Sequence, residues 1–474
     1  MPTLVETARK VQAGEIAAES LVADSLSRIE AKKGLNAYIS VLAESALERA
    51  RALDKRRAAG EKLGPLAGIP IAVKDNIATA RGRTTCGSKI LAGFESPYSA
   101  TAAERLEAAG AVIVGKTNMD EFAMGSTSET SAFGAPVNPL DESVIAGGSS
   151  GGSAVAVAAG TVPASLGSDT GGSIRQPAAC CAVVGIKPTY GRVSRYGLVA
   201  YASSLDQIGS FGNSVADAAL LLNSICGWDA RDNTSAQVPV PDFTASLSKG
   251  AAGKVIGLPK ECFGEGLQAE VRDAVMKAVA ALEKAGAVVK EVSIPSFRYA
   301  VAAYYVIATA EASANLSRYD GVRYTARSKE AKDLYGLYAK TRSEGFGDEV
   351  KKRILLGTYV LSSGFYDAYY MQAQKVRRLI TDDFNRAFST CDVVATPTMP
   401  TLPPRLGSIY SDPMAQYLGD IYTVAVNLAG LPATSQPVAK ADGGRLKAGL
   451  QFIGKPFGEE ELLQVAAAAE AALG

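Results

Sequence analysis

Apolar residues recur at three- and four-residue spacing over 15–33 and 40–59, in stretches rich in Ala, Leu, Glu and Arg, and this period predicts two helices. Gly64 and Pro65 break the pattern. Residues 68–75 then read as a buried strand, in which Ile69, Ile71, Ala72 and Val73 lead into Lys74 and Asp75. A helical stretch over 101–110 closes at Gly110, and 111–114 follows as another strand, so helix and strand alternate as in layered α/β proteins. Residues 255–259 and 287–289 read as strands flanking a helix over 267–285. Residues 300–390 are mainly helical and rich in tyrosine; 391–396 and 450–453 are strands, and 458–473 is a closing helix. Residues 227–250 carry Pro, Asp, Asn and Ser without a period and read as a surface loop.

The chain shows no internal repeat and no convincing linker. Gly, Ser and Ala dominate 147–172, yet the apolar block 154–159 suits a close-packed helix of small residues better than a flexible tether. The expectation is one α/β domain over 1–474, with a large mixed central sheet covered by helices on both faces. A helical N-terminal region spans about 1–60.

Composition removes several function classes. At 474 residues, with 47% apolar and 20% charged, the chain is globular. No apolar run approaches the roughly 18 residues of a membrane span, and no signal peptide opens the sequence, so a cytoplasmic protein without a membrane role is expected. Lys+Arg 49 against Asp+Glu 48 gives net +1, which excludes a bulk basic field for nucleic acid. There is no histidine. That excludes Ser-His-Asp and Cys-His devices, histidine metal ligands and imidazole acid/base work. Six cysteines without a C-x-x-C spacing read as reduced thiols, with the adjacent Cys180 and Cys181 structural.

Three motifs match in letters and fail in chemistry. Residues 110–117 fit the P-loop pattern, but Ala111-Val112-Ile113-Val114 want to be the strand itself, not the turn that wraps phosphates. Residues 147–151 contain G-x-S-x-G, a nucleophile elbow that relies on a histidine base. Asn233-Thr234-Ser235 and Asn315-Leu316-Ser317 fit the glycosylation acceptor, which is irrelevant in a cytosolic protein.

Two glycine-serine clusters remain, GGSSGGS at 147–153 and DTGGSIR at 169–175. In Thr170-Gly171-Gly172-Ser173 the glycines allow successive amides to converge as a nest for an oxyanion, with a serine hydroxyl beside it. Such a serine needs a base. Lys74, at the end of a buried strand, could supply a neutral amine, because desolvation lowers a lysine pKa. Local sequence alone favours the plainer reading, a lysine paired with a neighbouring carboxylate at a strand end.

Lys74, GGSSGGS and DTGGSIR together resemble the amidase signature family, whose catalytic device is a Ser–cis-Ser–Lys triad; the 75-residue and 24-residue gaps between Lys74, Ser149 and Ser173 fit its spacing. The resemblance implies the amidase-signature fold. It implies Ser173 as nucleophile, Ser149 in a cis peptide as proton relay, and neutral Lys74 as base. The amides of Thr170, Gly171, Gly172 and Ser173 would form the oxyanion hole, with Asp169 and Arg175 as a supporting ion pair. One departure is Ala146, where the family commonly has proline.

Within that family, the stretches 120–126 (DEFAMGS), 204–209 (SLDQIG), 347–353 (GDEVKKR) and 426–432 (VNLAGLP) resemble the glutaminase branch found in the tRNA-dependent amidotransferases. That resemblance implies glutamine as substrate and a pocket within the 300–390 segment and beyond it. Arg353 and Asp420 would meet the two charges of the amino acid, with Tyr304 beside them and Met124 and Gly125 also in contact. It implies B and C subunits as partners, with tRNA bound mainly by B. ATP and magnesium would serve the assembled complex, with no cofactor and no metal held by this chain. The near-zero net charge fits such a division of labour. The alternative is a stand-alone amidase acting on another small amide.

Overall fold

The computed structural model describes residues 3–408, 417–440 and 445–473. Among these, eleven strands build one sheet: β1 (Tyr38–Val41), β2 (Pro70–Lys74), β3 (Val112–Thr117), β4 (Ala164–Asp169), β5 (Val184–Lys187), β6 (Gln207–Gly212), β7 (Val255–Pro259), β8 (Val288–Val292), β9 (Val393–Pro397), β10 (Ala433–Lys440) and β11 (Lys447–Gly454). Their spatial order is β1-β3-β2-β4-β6-β5-β10-β11-β9-β7-β8. β2 runs parallel to β3 and β4, β7 runs parallel to β8 and β9, and the remaining pairs are antiparallel. The sheet is therefore mixed.

Successive side chains of a strand point to opposite faces, so the division of core residues shows what covers each side. Ile71, Val73 and Ile113 belong to one core, with Leu106, Leu221, Val271 and Leu462 from helices Thr101–Ala108, Val215–Ile225, Ala269–Lys284 and Glu459–Leu473. Ala72, Val112 and Val114 belong to another, with Val11, Val22, Leu53 and Val155 from helices Leu4–Ala13, Ala18–Ala31, Ala43–Ala58 and Gly151–Ala158. Both faces of the sheet are covered by helices.

Several elements differ from the sequence pattern. A helix at Leu4–Ala13 adds to the predicted set; Thr3 and Glu6 close a capping box at its start, and Gly14 ends it at φ 76°. Residues 38–41 form edge strand β1 ahead of the helix predicted from 40 onward. Tyr38, Ile39 and Val41 suit a strand, and pairing with β3 decides the outcome. β4, β5, β6 and β10 escape the periodicity because they are built partly from Gly, Ser, Thr and Ala. Gly167 of β4 shows why: a Cβ there would lie 2.6 Å from the Phe211 ring and 2.9 Å from Ser150 Oγ. The 227–250 stretch is a loop but not wholly on the surface, since Asp229, Asp232 and Phe243 are buried. Asp229 turns inward because its carboxylate accepts the hydroxyls of Thr101 and Ser194.

Residues 112–117 are strand throughout, as the failed P-loop reading requires. Lys116, the residue that would have faced phosphate, is fully buried and pairs with equally buried Asp75 at 3.4 Å. Its ammonium also donates to Thr84 Oγ1 at 3.1 Å and to the Arg83 carbonyl. Removing one member of such a pair leaves an uncompensated buried charge. Lys116→Met is expected to lower unfolding stability by about 3–5 kcal/mol in a denaturant titration, and pairing it with Asp75→Asn is expected to recover most of that loss.

Candidate active site

β2 and β4 are parallel neighbours, and their carboxyl ends deliver Lys74 and the pair Ser168-Asp169 to one place. The turn before the Gly151–Ala158 helix brings Ser149 there, with a cis peptide between Gly148 and Ser149. The side chains of that helix are small because it packs directly on the sheet. A Cβ on Gly152 would meet the Asn118 amide nitrogen and the Ala37 carbonyl oxygen.

Lys74 Nζ lies 2.7 Å from Ser149 Oγ, 3.0 Å from Ser168 Oγ and 3.3 Å from the Ser168 carbonyl oxygen. Asn76 Nδ2 donates to Ser168 Oγ at 2.9 Å, which leaves that hydroxyl oriented between the two nitrogens. Lys74 and Ser149 are fully buried. Burial drives the Lys74 pKa down from 10.5 to about 7, against the opposing pull of the Asp120, Asp169 and Asp206 carboxylates. Near pH 7 about half of such amines are neutral, where an unperturbed lysine is neutral in roughly one molecule in 2,500.

The 169–175 loop is shaped by one carboxylate. Asp169 Oδ1 accepts the Gly172 amide at 2.9 Å and Oδ2 accepts the Ile174 amide at 3.0 Å. Arg175 grips the same group with Nε at 3.1 Å and Nη2 at 3.0 Å, and Asn427 Nδ2 donates to it at 2.9 Å. Burial alone would raise the Asp169 pKa, but the Arg175 guanidinium outweighs it and holds the carboxyl well below its usual range. The Gly172 amide is thus committed. Of the four expected oxyanion donors, three amides, those of Thr170, Gly171 and Ser173, have no hydrogen-bond partner among the described residues. The cradle offers three donors instead of four because Asp169 uses one to hold the turn.

Ser173 is buried but for 6% of its surface, and its hydroxyl makes no hydrogen bond among the described residues; its carbonyl accepts the Ser150 amide at 3.2 Å. The structure therefore joins Lys74 to Ser149 and leaves the third hydroxyl free beside the open amides.

On the far side of the loop lies a ring of aromatic and charged groups. Gly171 is glycine because Tyr304 presses on it: a Cβ there would sit 2.6 Å from the Tyr304 phenol oxygen. Arg353 is buried between the Tyr201 and Tyr305 rings, donating to Tyr201 Oη and to Glu349 Oε1 at 2.8 Å each. Asp420 accepts Gln176 Nε2 at 2.6 Å and Tyr305 Oη at 2.7 Å, and burial pushes its pKa up to about 6. Tyr305 thus spans the predicted cation and anion. Met124 is buried in the main core, and Gly125 packs on the Asp120 carboxylate; neither hydrogen-bonds to Tyr304, Arg353 or Asp420.

Ser168, Tyr201, Tyr305 and Gln176 complete the cluster and are not among the residues the sequence pattern singles out. Gln176 adjoins the DTGGSIR signature and lies within its reach. Tyr201 and Tyr305 carry no local signal, since only packing brings them to Arg353. All six cysteines are unpaired; Cys180 and Cys181 are buried, and burial raises the Cys180 thiol to about 12 and Cys181 well above its ordinary value. No group of His, Cys, Asp and Glu among the described residues could hold a metal ion, and no helix there is long and apolar enough to cross a membrane.

Comparison with known proteins gives this arrangement a context. The family described as Amidase matches residues 20–463. The chain is 55% identical over 466 residues to the A subunit of glutamyl-tRNA(Gln) amidotransferase from Carboxydothermus hydrogenoformans, covering 98% of this chain and 96% of the relative. The crystal structure of the corresponding A subunit from Thermotoga maritima is 43% identical, with TM-score 0.79 over 96% of this chain and 91% of that one. The native peptide amidase of Stenotrophomonas maltophilia has TM-score 0.84 at 32% identity, covering 99% and 96%. Backbone similarity does not separate amidases of different substrates here, whereas sequence identity favours the amidotransferase subunits.

Lys187 is a second buried lysine whose pKa burial lowers to about 7. A nitrogen-15 titration of the lysine amines is expected to show at least two Nζ groups losing a proton near pH 7, one of which disappears in Lys74→Met. If every lysine titrated above pH 9, the desolvated amine at Ser149 would be refuted.

Proposed function

The chain belongs to the amidase signature family, and on that footing we propose that it is the glutaminase subunit of a glutamyl-tRNA(Gln) amidotransferase. Near-full-length identity to the amidotransferase relatives supports this branch over a stand-alone amidase. The single observation that carries the chemistry is the 2.7 Å bond between a fully buried lysine amine and Ser149 Oγ.

In this reading the neutral Lys74 amine takes the Ser149 proton as Ser149 takes the proton of Ser173, whose hydroxyl turns from its free position onto Ser149 Oγ. Ser173 Oγ then bonds to the side-chain carbonyl carbon of glutamine, and the amides of Thr170, Gly171 and Ser173 receive the oxyanion. Collapse breaks the carbon–nitrogen bond, and the proton held by Lys74 returns through Ser149 to the departing ammonia. Water attacks the resulting ester along the same relay and releases glutamate. Arg353 pairs with the substrate α-carboxylate and Asp420 with its α-ammonium, with Tyr304, Met124 and Gly125 lining the pocket. Asp169 and Arg175 hold the loop without entering the reaction.

The relatives from Carboxydothermus hydrogenoformans and Thermotoga maritima are each named as the A subunit of an amidotransferase, which supports membership of a multi-subunit enzyme. B and C subunits are its proposed partners. B would bind the tRNA and use ATP and magnesium to activate Glu-tRNA(Gln), and Asp-tRNA(Asn) where that is served; this chain supplies ammonia. The six unpaired cysteines support a cytoplasmic setting.

In the assembled complex, Ser173→Ala and Lys74→Ala are expected to abolish glutamine-dependent amidation, a loss of at least about 10³-fold, while added ammonium still sustains it. The reactive form of Lys74 is the neutral one, populated as pH rises through its folded pKa near 7. Glutaminase kcat/KM should therefore fall about tenfold per unit below pH 7 and level off above it. Ammonia release indifferent to the other components of the complex, alongside fast turnover of unrelated amides, would favour the stand-alone amidase.

A further inference from the structure

One buried carboxylate has no part in the chemistry above. Glu121 follows Asp120 in a tight turn where Phe122 and Ala123 both take positive φ, 50° and 61°. It is 3% exposed, and burial raises its pKa to about 7 against the hydrogen bonds of Ser88 and Gly347 and the charges of Lys351 and Lys89. Its two oxygens serve different segments. Oε1 accepts the Ser88 hydroxyl, and Oε2 accepts the Gly347 amide at 2.8 Å.

Gly347 is the N-cap of the Asp348–Val360 helix. The chain around it is built to close on this carboxylate: a Cβ on Gly347 would collide with Glu121 Oε2, and one on Gly345 would lie 2.8 Å from Ile90 Cβ. Phe346, between the two glycines, packs edge-on against Phe122 at 5.6 Å. The same helix carries Glu349 and Arg353, and Arg353 lies about 9 Å along its axis from Gly347. Glu349 rides on that helix too, so its 2.8 Å bond to Arg353 moves with it and cannot fix its axial position. A carboxylate at a helix N-terminus is also favoured by the helix dipole.

Building on the reading of Arg353 as the pocket cation, we propose that Glu121 is a positioning residue: by seating Gly347 it fixes how far the Asp348–Val360 helix reaches into the pocket and where the Arg353 guanidinium meets the substrate carboxylate. Without that seat the first turn of the helix shifts or frays, and the guanidinium keeps Tyr201, the ring contacts and a helix anchored only by its later turns, where Gly357 packs on the Thr309 carbonyl.

The test is glutaminase kinetics of the assembled complex with Glu121→Ala, Glu121→Asp and Glu121→Gln, with hydrogen exchange at the 348–353 amides. Glu121→Ala is expected to raise KM for glutamine about tenfold with kcat within about twofold. Glu121→Asp, one methylene short of Gly347, should behave similarly and serves if the alanine variant does not fold. Glu121→Gln keeps an oxygen that accepts the Gly347 amide and should return KM to within about threefold of wild type. Exchange at 348–353 should quicken in the alanine and aspartate variants and not in the glutamine variant. Unchanged KM, or equal loss of kcat and stability that glutamine does not rescue, would overturn the proposal. If the wild-type complex hydrolyses no glutamine, the functional reading fails. The exchange data then decide alone: quickening that glutamine reverses upholds the coupling, and any other pattern overturns it.

Discussion

Most of the active-site geometry hangs on the carboxylate of Asp169, a fully buried anion at the end of β4. It is matched by an equally buried guanidinium, and two loop amides and Asn427 complete its shell. A buried charge this fully paired is costly to disturb, since removing its partner leaves several kcal/mol of uncompensated desolvation. The constraint radiates outward. Arg175 also donates to the Thr423 carbonyl and to Gln451 Oε1, so the 169–175 loop is tied to β11 and to the segment carrying Asp420. Thr423 returns the contact by donating to the Gly171 carbonyl at 2.6 Å. The three open amides are left free because Asp169, Thr423 and Asp206 take up the other groups of the turn.

A chain without histidine reaches acid/base chemistry by a different physical route. Imidazole titrates near neutrality unaided, but a lysine must be pushed there by desolvation. The fold supplies that by sealing Lys74 under a helix of Gly, Ser, Ala and Val, whose small side chains exclude water without displacing Ser149. Small residues on β4 serve the same end, and they are also why that strand lacks an apolar period.

Legibility followed side-chain size and sequence distance. The strands at 70–74, 112–117, 255–259 and 393–397 carry runs of Val and Ile and could be read directly. β4, with one Leu among Ala, Ser, Gly and Asp, and β6, with Ile208 and Phe211 among Gln, Gly and Ser, are strands because their neighbours pair with them; nothing in their own composition required it. Of the proposed triad, Ser149 and Ser173 stood out because their glycine-rich surroundings have few other uses, and Lys74 because an apolar strand leads into it. Of the proposed pocket, the sequence singled out the charges Arg353 and Asp420 but not the rings that hold them. Tyr201 and Tyr305, which hold those charges in place, lie far from them in sequence and look like any core aromatic.

By itself the sequence determined the kind of chemistry: no imidazole, a lysine primed by an apolar strand, and two serine clusters able to present hydroxyls and amides. These follow from residue type and near neighbours. Tertiary structure alone decided which groups are free to act. The Gly172 amide is withdrawn by a carboxylate three residues away, Ser168 joins Lys74 across 94 residues, and Glu121 reaches Gly347 across 226. Hydrogen-bond commitment is a property of a shared volume, and no local pattern encodes which donors packing will leave open.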